Sequence, residues 1–189
     1  MRAPVLIAVM LAAASAGGAW AQALVLGGGR AQACYQAARM SEVRGPAMAS
    51  QIDTCDAALE TEALSVRDRA GTFVNRGILR MSRREYELAL ADYAQAIRLA
   101  PDSGVAHVNR GAALIALERP DEGVAAIDQG LALNAEQPEK AYVNRGYGRE
   151  MLGDLKGAYF DFTRAAELKP GWELPRKELA RFTVRRPEG

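Results

Sequence analysis

The tetrapeptide VNRG occurs three times in this chain, with starts 34 and 35 residues apart. When the glycines of the three copies are superposed, the flanking residues align as well. The aligned segments span residues 70–102, 104–136 and 139–171. Each segment carries two helical patterns, and a period of about 34 residues with two helices per unit is typical of stacked helical hairpins. The sequence therefore predicts an all-α solenoid in which each unit packs on its neighbours.

Six positions of the first and third segments carry matching small, aromatic and proline residues. Counted from the start of each segment, they are positions 4, 8, 20, 24, 27 and 32, occupied by Phe73, Gly77, Ala89, Tyr93, Ala96 and Pro101 in the first and by Tyr142, Gly146, Ala158, Phe162, Ala165 and Pro170 in the third. The three segments resemble tetratricopeptide repeats (TPR), and the chain is identified as a TPR protein of the exported bacterial type. The resemblance implies a right-handed superhelical solenoid of helix-turn-helix units that binds a protein or peptide and uses no cofactor.

The second segment departs from the pattern. It has His107, Gly123, Ile127, Gly130 and Ala135 at five of the six positions. A glycine inside a helix costs about 1 kcal/mol relative to alanine, so this repeat is predicted to be the least stable of the three.

The segments predict six helices and define the chain's organisation. The predicted helices span residues 71–82, 86–99, 104–117, 121–133, 139–152 and 155–168. A degenerate hairpin is expected before them at 34–69, and residues 172–189 are expected to form a capping helix, over about 174–182, followed by a tail. Solenoids need such caps because an open end exposes apolar surface.

The first 21 residues read as a secretory signal peptide. Arg2 precedes an apolar run over 5–14, and Ala19 and Ala21 form an A-x-A cleavage site. A membrane-spanning helix needs roughly 20 apolar residues, so the alternative of an uncleaved anchor is the weaker one. Cleavage before Gln22 would leave no stable membrane span, a flexible leader over 22–33, and a protein of the bacterial periplasm or of another secretory route.

Two cysteines remain after this cleavage, Cys34 and Cys55. An even number of cysteines in an exported chain favours a disulfide bond. Their midpoint lies beside the Arg44-Gly45-Pro46 turn signal, so each cysteine is expected at the same distance from the turn on two antiparallel helices. The alternative is a pair of buried free thiols.

One face of the first helix in each repeat is predicted to line a concave groove. In the TPR family, position 6 faces this groove, and residues three and four apart share its face. The predicted peptide-groove residues are Val74, Asn75, Ile78, Val108, Asn109, Ala112, Lys140, Val143, Asn144 and Tyr147. Asparagine amides can pair with the backbone of a bound peptide, and the apolar residues can contact its side chains.

A carboxylate clamp, as in chaperone cofactors of the family, is a sharper alternative for this groove. Asn75, Asn109 and Lys140 match the clamp pattern, whereas Gly71 and Asn144 do not, and most of its positive charge is missing. The remaining alternative is structural, with asparagine simply common at that position.

The arginine of each VNRG stands at position 7. Arg76 and Arg145 have an aspartate at position 23 of the same repeat, Asp92 and Asp161, as a candidate ion-pair partner. Repeat two has alanine there, so Asp128 is expected to serve Arg110. The functional alternative is an arginine row that binds an acidic ligand.

The charge balance and the residue types present argue against several classes of function. Lys+Arg number 24 and Asp+Glu 23, which gives no support for a nucleic acid partner. The only histidine, His107, falls at a packing position, and no cluster has the spacing of a catalytic or metal site. We therefore expect a binding scaffold that is not an enzyme and holds no metal. The rival expectation is a self-associating architectural subunit that uses its convex face or its end caps.

Overall fold

A computed structural model describes residues 7–9 and 29–184. Within these residues the chain forms nine α-helices and two three-residue strands. They are β1 (Ile7–Val9), α1 (Gly29–Arg44), α2 (Ala49–Thr61), α3 (Val66–Ser82), α4 (Tyr86–Leu99), α5 (Gly104–Ala116), α6 (Pro120–Ala132), α7 (Pro138–Met151), α8 (Leu155–Leu168), α9 (Glu173–Leu179) and β2 (Phe182–Val184). β1 and β2 pair antiparallel, with Ala8 opposite Thr183.

The helices form four consecutive hairpins, α1 with α2, α3 with α4, α5 with α6 and α7 with α8. Each hairpin packs on the next, and the first helices of successive hairpins, α1, α3, α5 and α7, also contact one another in order. The all-α repeat solenoid is thus confirmed. The bounds of α4 and α8 coincide with the predicted ones, and α3 begins five residues earlier than predicted.

Local sequence explains where several helices begin. Ser65, Ser103 and Asp154 cap α3, α5 and α8, because each side-chain oxygen accepts the backbone N–H three residues later. Pro120 and Pro138 occupy the first turns of α6 and α7, where the missing N–H has no helical partner to lose.

The N-terminal hairpin starts earlier than the sequence suggested. α1 begins at Gly29, not at Cys34, because the Arg30 and Ala31 N–H groups donate to the Glu62 carboxylate, at 2.6 and 3.2 Å. The leader prediction for 22–33 is therefore wrong for 29–33. The predicted disulfide is present, joining Cys34 on α1 to Cys55 on α2. Apart from residues 7–9, the predicted signal peptide lies outside the described residues, as do 22–28 of the leader.

The C-terminal cap is shorter than predicted, since α9 ends at Leu179. Beyond it, the buried ring of Phe182 lies 6.0 Å from that of Phe162 and 5.8 Å from that of Tyr159. This aromatic contact covers the end of the third repeat. Among the helices that the structure describes, none has the length and apolarity needed to cross a membrane.

The glycines of the second repeat allow its two helices to touch backbone to backbone. A Cβ built on Gly111 would lie 2.6 Å from the Gly123 carbonyl oxygen and 2.5 Å from Ile127 Cγ1. A Cβ on Gly130 would lie 2.7 Å from the Gly104 carbonyl oxygen. The glycines are therefore packing residues, and their poor helix propensity is offset by a closer approach of α5 to α6.

The change Gly111→Ala tests this interpretation. Helix propensity alone would stabilise the protein by about 1 kcal/mol, whereas overpacking against a backbone carbonyl should destabilise it by about 1–3 kcal/mol. We expect the destabilisation, measured as the urea midpoint of the helical circular-dichroism signal. Gly171→Ala is the control, because a Cβ there meets nothing within 4 Å. An equal or higher midpoint for Gly111→Ala would show that the close approach is not needed.

Candidate functional site

The predicted groove residues do lie together on α3, α5 and α7, which pack side by side. The structure nevertheless buries nine of the ten and leaves only Tyr147 half-buried. Asn75 and Asn109 are 0% exposed, Asn144 is 2% exposed and Lys140 is 6% exposed. Each of these four also interacts with other groups of the protein.

The asparagines are buried on the inner face, the side of α3, α5 and α7 that carries the predicted groove residues, so the open line of amides expected from the sequence is not what the structure displays. Small buried residues, such as Ala112 and Gly71, lie in the same row. A role of the asparagines in ligand binding stays a prediction.

The accessible part of this inner face lies at the C-terminal ends of α5 and α7. Ala116 on α5 is half-buried and Met151 on α7 is 49% exposed, whereas the Ile115 side chain packs against Gly123 on α6 and Gly148 on α7. Methionine adapts its shape to different apolar partners. The accessible apolar surface of the inner face therefore lies at this end.

The capping helix touches the same end of the inner face. Tyr147 donates its hydroxyl hydrogen to Glu178 Oε1 at 2.8 Å, and Arg181 pairs with both Glu150 and Glu178. Burial, followed by the charge of Glu178, raises the pKa of Tyr147 above its usual value, so the hydroxyl stays protonated as a donor. Tyr147 and Glu150 therefore anchor the C-terminal cap to α7, through Glu178 on α9 and Arg181 just after it.

Two of the three VNRG arginines bind the predicted aspartates. Arg76 reaches Asp92 with Nε at 3.1 Å and Nη2 at 2.5 Å, and Arg145 reaches Asp161 with Nε at 3.0 Å and Nη2 at 2.6 Å. Both aspartates are buried. The structural interpretation of these two arginines is confirmed.

The electrostatics of these pairs follow from burial and pairing. Burial alone would lower the pKa of Arg145, but hydrogen bonds to Asp161 and Asp128 outweigh it and raise the pKa above its usual value. The same holds for Arg76 with Asp92 and Asp56. Burial raises the pKa of Asp92 against the opposing effect of Arg76, so the carboxylate is desolvated and depends on its arginine partners.

The expected pairing of Asp128 with Arg110 is wrong. Asp128 accepts from Arg145 Nη1 at 2.6 Å, so it serves the following repeat. The reason is geometric, since helix α6 lies against α7 and carries its aspartate to the next arginine.

Each of the two buried aspartates also binds a second arginine, which was not predicted from the sequence. Arg80 and Arg149, four residues after the VNRG arginines, donate to Asp92 and Asp161 at 2.8 and 2.9 Å. The signal was present in the sequence, because residues four apart share a helix face, and repeats one and three both have arginine there while repeat two has Leu114.

His107 is a packing residue in the structure. It is buried, and its Nε2 lies 3.0 Å from the Pro101 carbonyl oxygen, to which it donates. No group of three or more histidine, cysteine or acidic residues within 7–9 and 29–184 has an arrangement that could hold a metal ion.

A shallow cleft of about 490 Å³ lies on the N-terminal hairpin, between α1 and α2. Its apolar lining includes Ala33, Ala37, Met40, Pro46 and Met48. Met48 is 65% exposed, so this end of the solenoid presents apolar surface.

No family model matches the chain. In sequence it is similar to Hsc70-interacting proteins 1 and 2 of Drosophila melanogaster, 33% identical over 85 residues. The match covers 45% of this chain and 22% of each relative, so the chain spans about a fifth of their length.

Solved structures show the same fold. The first TPR domain of Spaghetti (RPAP3), bound to the HSP90 peptide SRMEEVD, is 27% identical with a TM-score of 0.55, over 59% of this chain and 87% of that domain. The second TPR domain of human RPAP3, in complex with the HSP70 peptide SGPTIEEVD, is 26% identical with a TM-score of 0.55, over 61% of this chain and 96% of that domain.

Proposed function

We propose that this tetratricopeptide-repeat chain is a non-catalytic protein- or peptide-binding scaffold of an exported compartment. The observation that carries the proposal is its likeness to a TPR domain bound to a peptide, over 59% of this chain. TPR neighbours that bind chaperone peptides support a protein or peptide as the class of partner.

The partner is proposed to contact the inner face at the C-terminal ends of α5 and α7. Met151 and the half-buried Ala116 supply accessible apolar surface there. The row of buried asparagines lies on the same three helices, α3, α5 and α7. Apolar contact, and not a charged clamp, is favoured because Gly71 and Asn144 stand where a clamp needs cations.

The exported setting is supported by the signal-peptide pattern over residues 1–21 and by the fully buried disulfide bond. Structural disulfides form in oxidising compartments such as the bacterial periplasm. We propose that compartment as the place where the scaffold works.

Photo-crosslinking from two exposed positions tests the binding face. A benzoyl-phenylalanine at position 151 probes the inner face, and one at position 160, where Phe160 is 56% exposed on α8, is the matched control. Both positions tolerate a large ring because both side chains already face solvent. We expect irradiation in intact cells to yield an adduct with another protein from position 151 and none from 160.

Self-association is the second candidate, favoured by the exposed apolar side chains of Met48 on the N-terminal hairpin and Phe160 on α8. An adduct of twice the chain's mass, formed from position 160 and not from 151, would contradict the inner-face proposal and support an architectural subunit.

A further inference from the structure

Two arginines of the repeat array each hold two carboxylates from this chain. Arg145 binds Asp161 of its own repeat and Asp128 of the preceding repeat, at 2.6 Å each. Arg76 binds Asp92 of its own repeat at 2.5 Å and Asp56 of the preceding hairpin at 2.6 Å. The repeating unit of this network is therefore one arginine between two acidic side chains.

The corresponding arginine of repeat two, Arg110, lacks both acids. Ala126 stands where Asp92 and Asp161 stand in the other repeats, and Ala94 stands one repeat before Asp128. Ala94 is exposed and Ala126 is 6% exposed, so one acid would lie at the surface and the other in the helix interface, as their counterparts do. Arg110 itself is half-buried.

The aromatic support of the other two arginines is missing as well. Arg76 lies over the Phe73 ring at 5.3 Å and Arg145 over the Tyr142 ring at 5.2 Å. The same position of repeat two is His107, which turns to the Pro101 carbonyl.

Arg110 acts electrostatically on Glu122, which is hydrogen-bonded to another arginine. Its two carboxylate oxygens accept from Arg119, at 2.7 and 2.8 Å. The pKa of Glu122 is lowered first by that hydrogen bond, and the charge of Arg110 adds to the effect. Within residues 7–9 and 29–184, no carboxylate forms a direct ion pair with Arg110.

We propose that Arg110 is a binding site for an aspartate or glutamate side chain of a protein partner. The planar guanidinium fork matches a carboxylate, and the exposed Ala94 stands where the chain supplies an acid, Asp56 or Asp128, to the other two arginines. A half-buried cation gains more from such a partner than a fully exposed one, because water screens the pair less. The site faces α4 and α6, as Arg145 faces α6 and α8, so it differs from the inner face and extends the proposed function.

Arginine side-chain NMR on the full chain tests the proposal, with the capped peptide tetraglutamate as probe and capped tetraglutamine as its neutral counterpart. The Arg110 Nε–Hε signal is identified from its absence in Arg110→Lys. We expect tetraglutamate to shift this signal in a saturable way and tetraglutamine to leave it in place. An Arg110 signal that does not move with tetraglutamate would overturn the proposal.

The variant Ala94→Asp should place a carboxylate of the chain itself in the site. A hydrogen-bonded ion pair of this kind is strong enough to weaken probe binding about tenfold. Ala132→Asp, at an exposed alanine on α6, is the matched control because it adds the same charge elsewhere. We expect it to bind the probe like the unchanged protein.

Equal weakening by Ala94→Asp and Ala132→Asp would show that net charge and not a defined site attracts the probe, and the proposal would be abandoned. Both substitutions are on the surface, so circular dichroism should show unchanged helix content. Crosslinking from position 151 is independent of this site, so it separates failure of the Arg110 site from failure of the inner-face proposal.

Discussion

Replacing Asp161 by alanine is expected to lower the free energy of unfolding by about 3–5 kcal/mol, because it removes the buried carboxylate that two mostly buried arginines share. The Asp161 carboxylate accepts from Arg145 and Arg149 and has a side chain only 3% exposed. Both guanidinium groups are mostly buried as well, with side chains 16% and 26% exposed. After the change Arg145 would keep only Asp128 and Arg149 only Asp154, and both of these aspartates are about half exposed. The third repeat and the cap that packs on it should therefore unfold more easily.

Urea unfolding followed by circular dichroism measures this loss. Glu167→Ala is the matched control on the same helix, since Glu167 forms an ion pair with Arg164 in which both side chains are more than half exposed. Pairs of that kind contribute roughly 0–1 kcal/mol. If Asp161→Ala lost no more than Glu167→Ala, the buried network would not hold α7 to α8, and its recurrence in repeat one would have another cause.

Most helix bounds of the three repeats could be predicted to within a residue, because the repeat marks them three times, although α3 starts five residues earlier than predicted. Position 32 ends the second helix of a unit, and the prediction for residues 155–168 coincides with α8. The pairing of Arg76 with Asp92 was accessible for the same reason, since both belong to one hairpin with a recurrent register. Contacts inside a unit therefore follow from its pattern.

Contacts between units were harder to predict. Asp128 accepts a hydrogen bond from Arg145 of the next repeat. This pairing depends on how two hairpins stack, and the residue spacing inside one repeat does not specify that. The start of α1 depends on Glu62, more than 30 residues away, whose carboxylate accepts the first N–H groups of the helix.

The exposure of the inner face could not be predicted either. Position 6 gives the side of the helix on which Asn109 lies, but it does not show which other groups pack against that side, and in the structure Asn109 is buried. A pattern of residue types at fixed positions identifies which face of a helix is involved, but it does not give the solvent exposure of that face.

Removal of the disulfide, by Cys34→Ala with Cys55→Ala, should lower the free energy of unfolding by about 3 kcal/mol, since the bond closes a loop of roughly 20 residues in the unfolded chain. Alanine is the suitable replacement because both sulfurs are fully buried among small side chains such as Ala38, and it leaves no unpaired hydroxyl. The bond joins α1 to α2, and both pack on α3, so its loss should loosen the N-terminal hairpin first.

Hydrogen exchange resolved by peptide measures this order. We expect protection to fall over residues 29–61 in the double variant while residues 139–168 keep theirs. A uniform loss along the chain would mean that the hairpin and the repeats unfold as one unit, and unchanged protection would show that packing of α1 on α3 suffices without the bond.

The native protein supplies the complementary observation: after denaturation in the presence of a maleimide reagent, it should show no reactive thiol. Two reactive thiols there would contradict the oxidising, exported setting, because a fully buried bond between adjacent helices, once formed, is shielded from reductants.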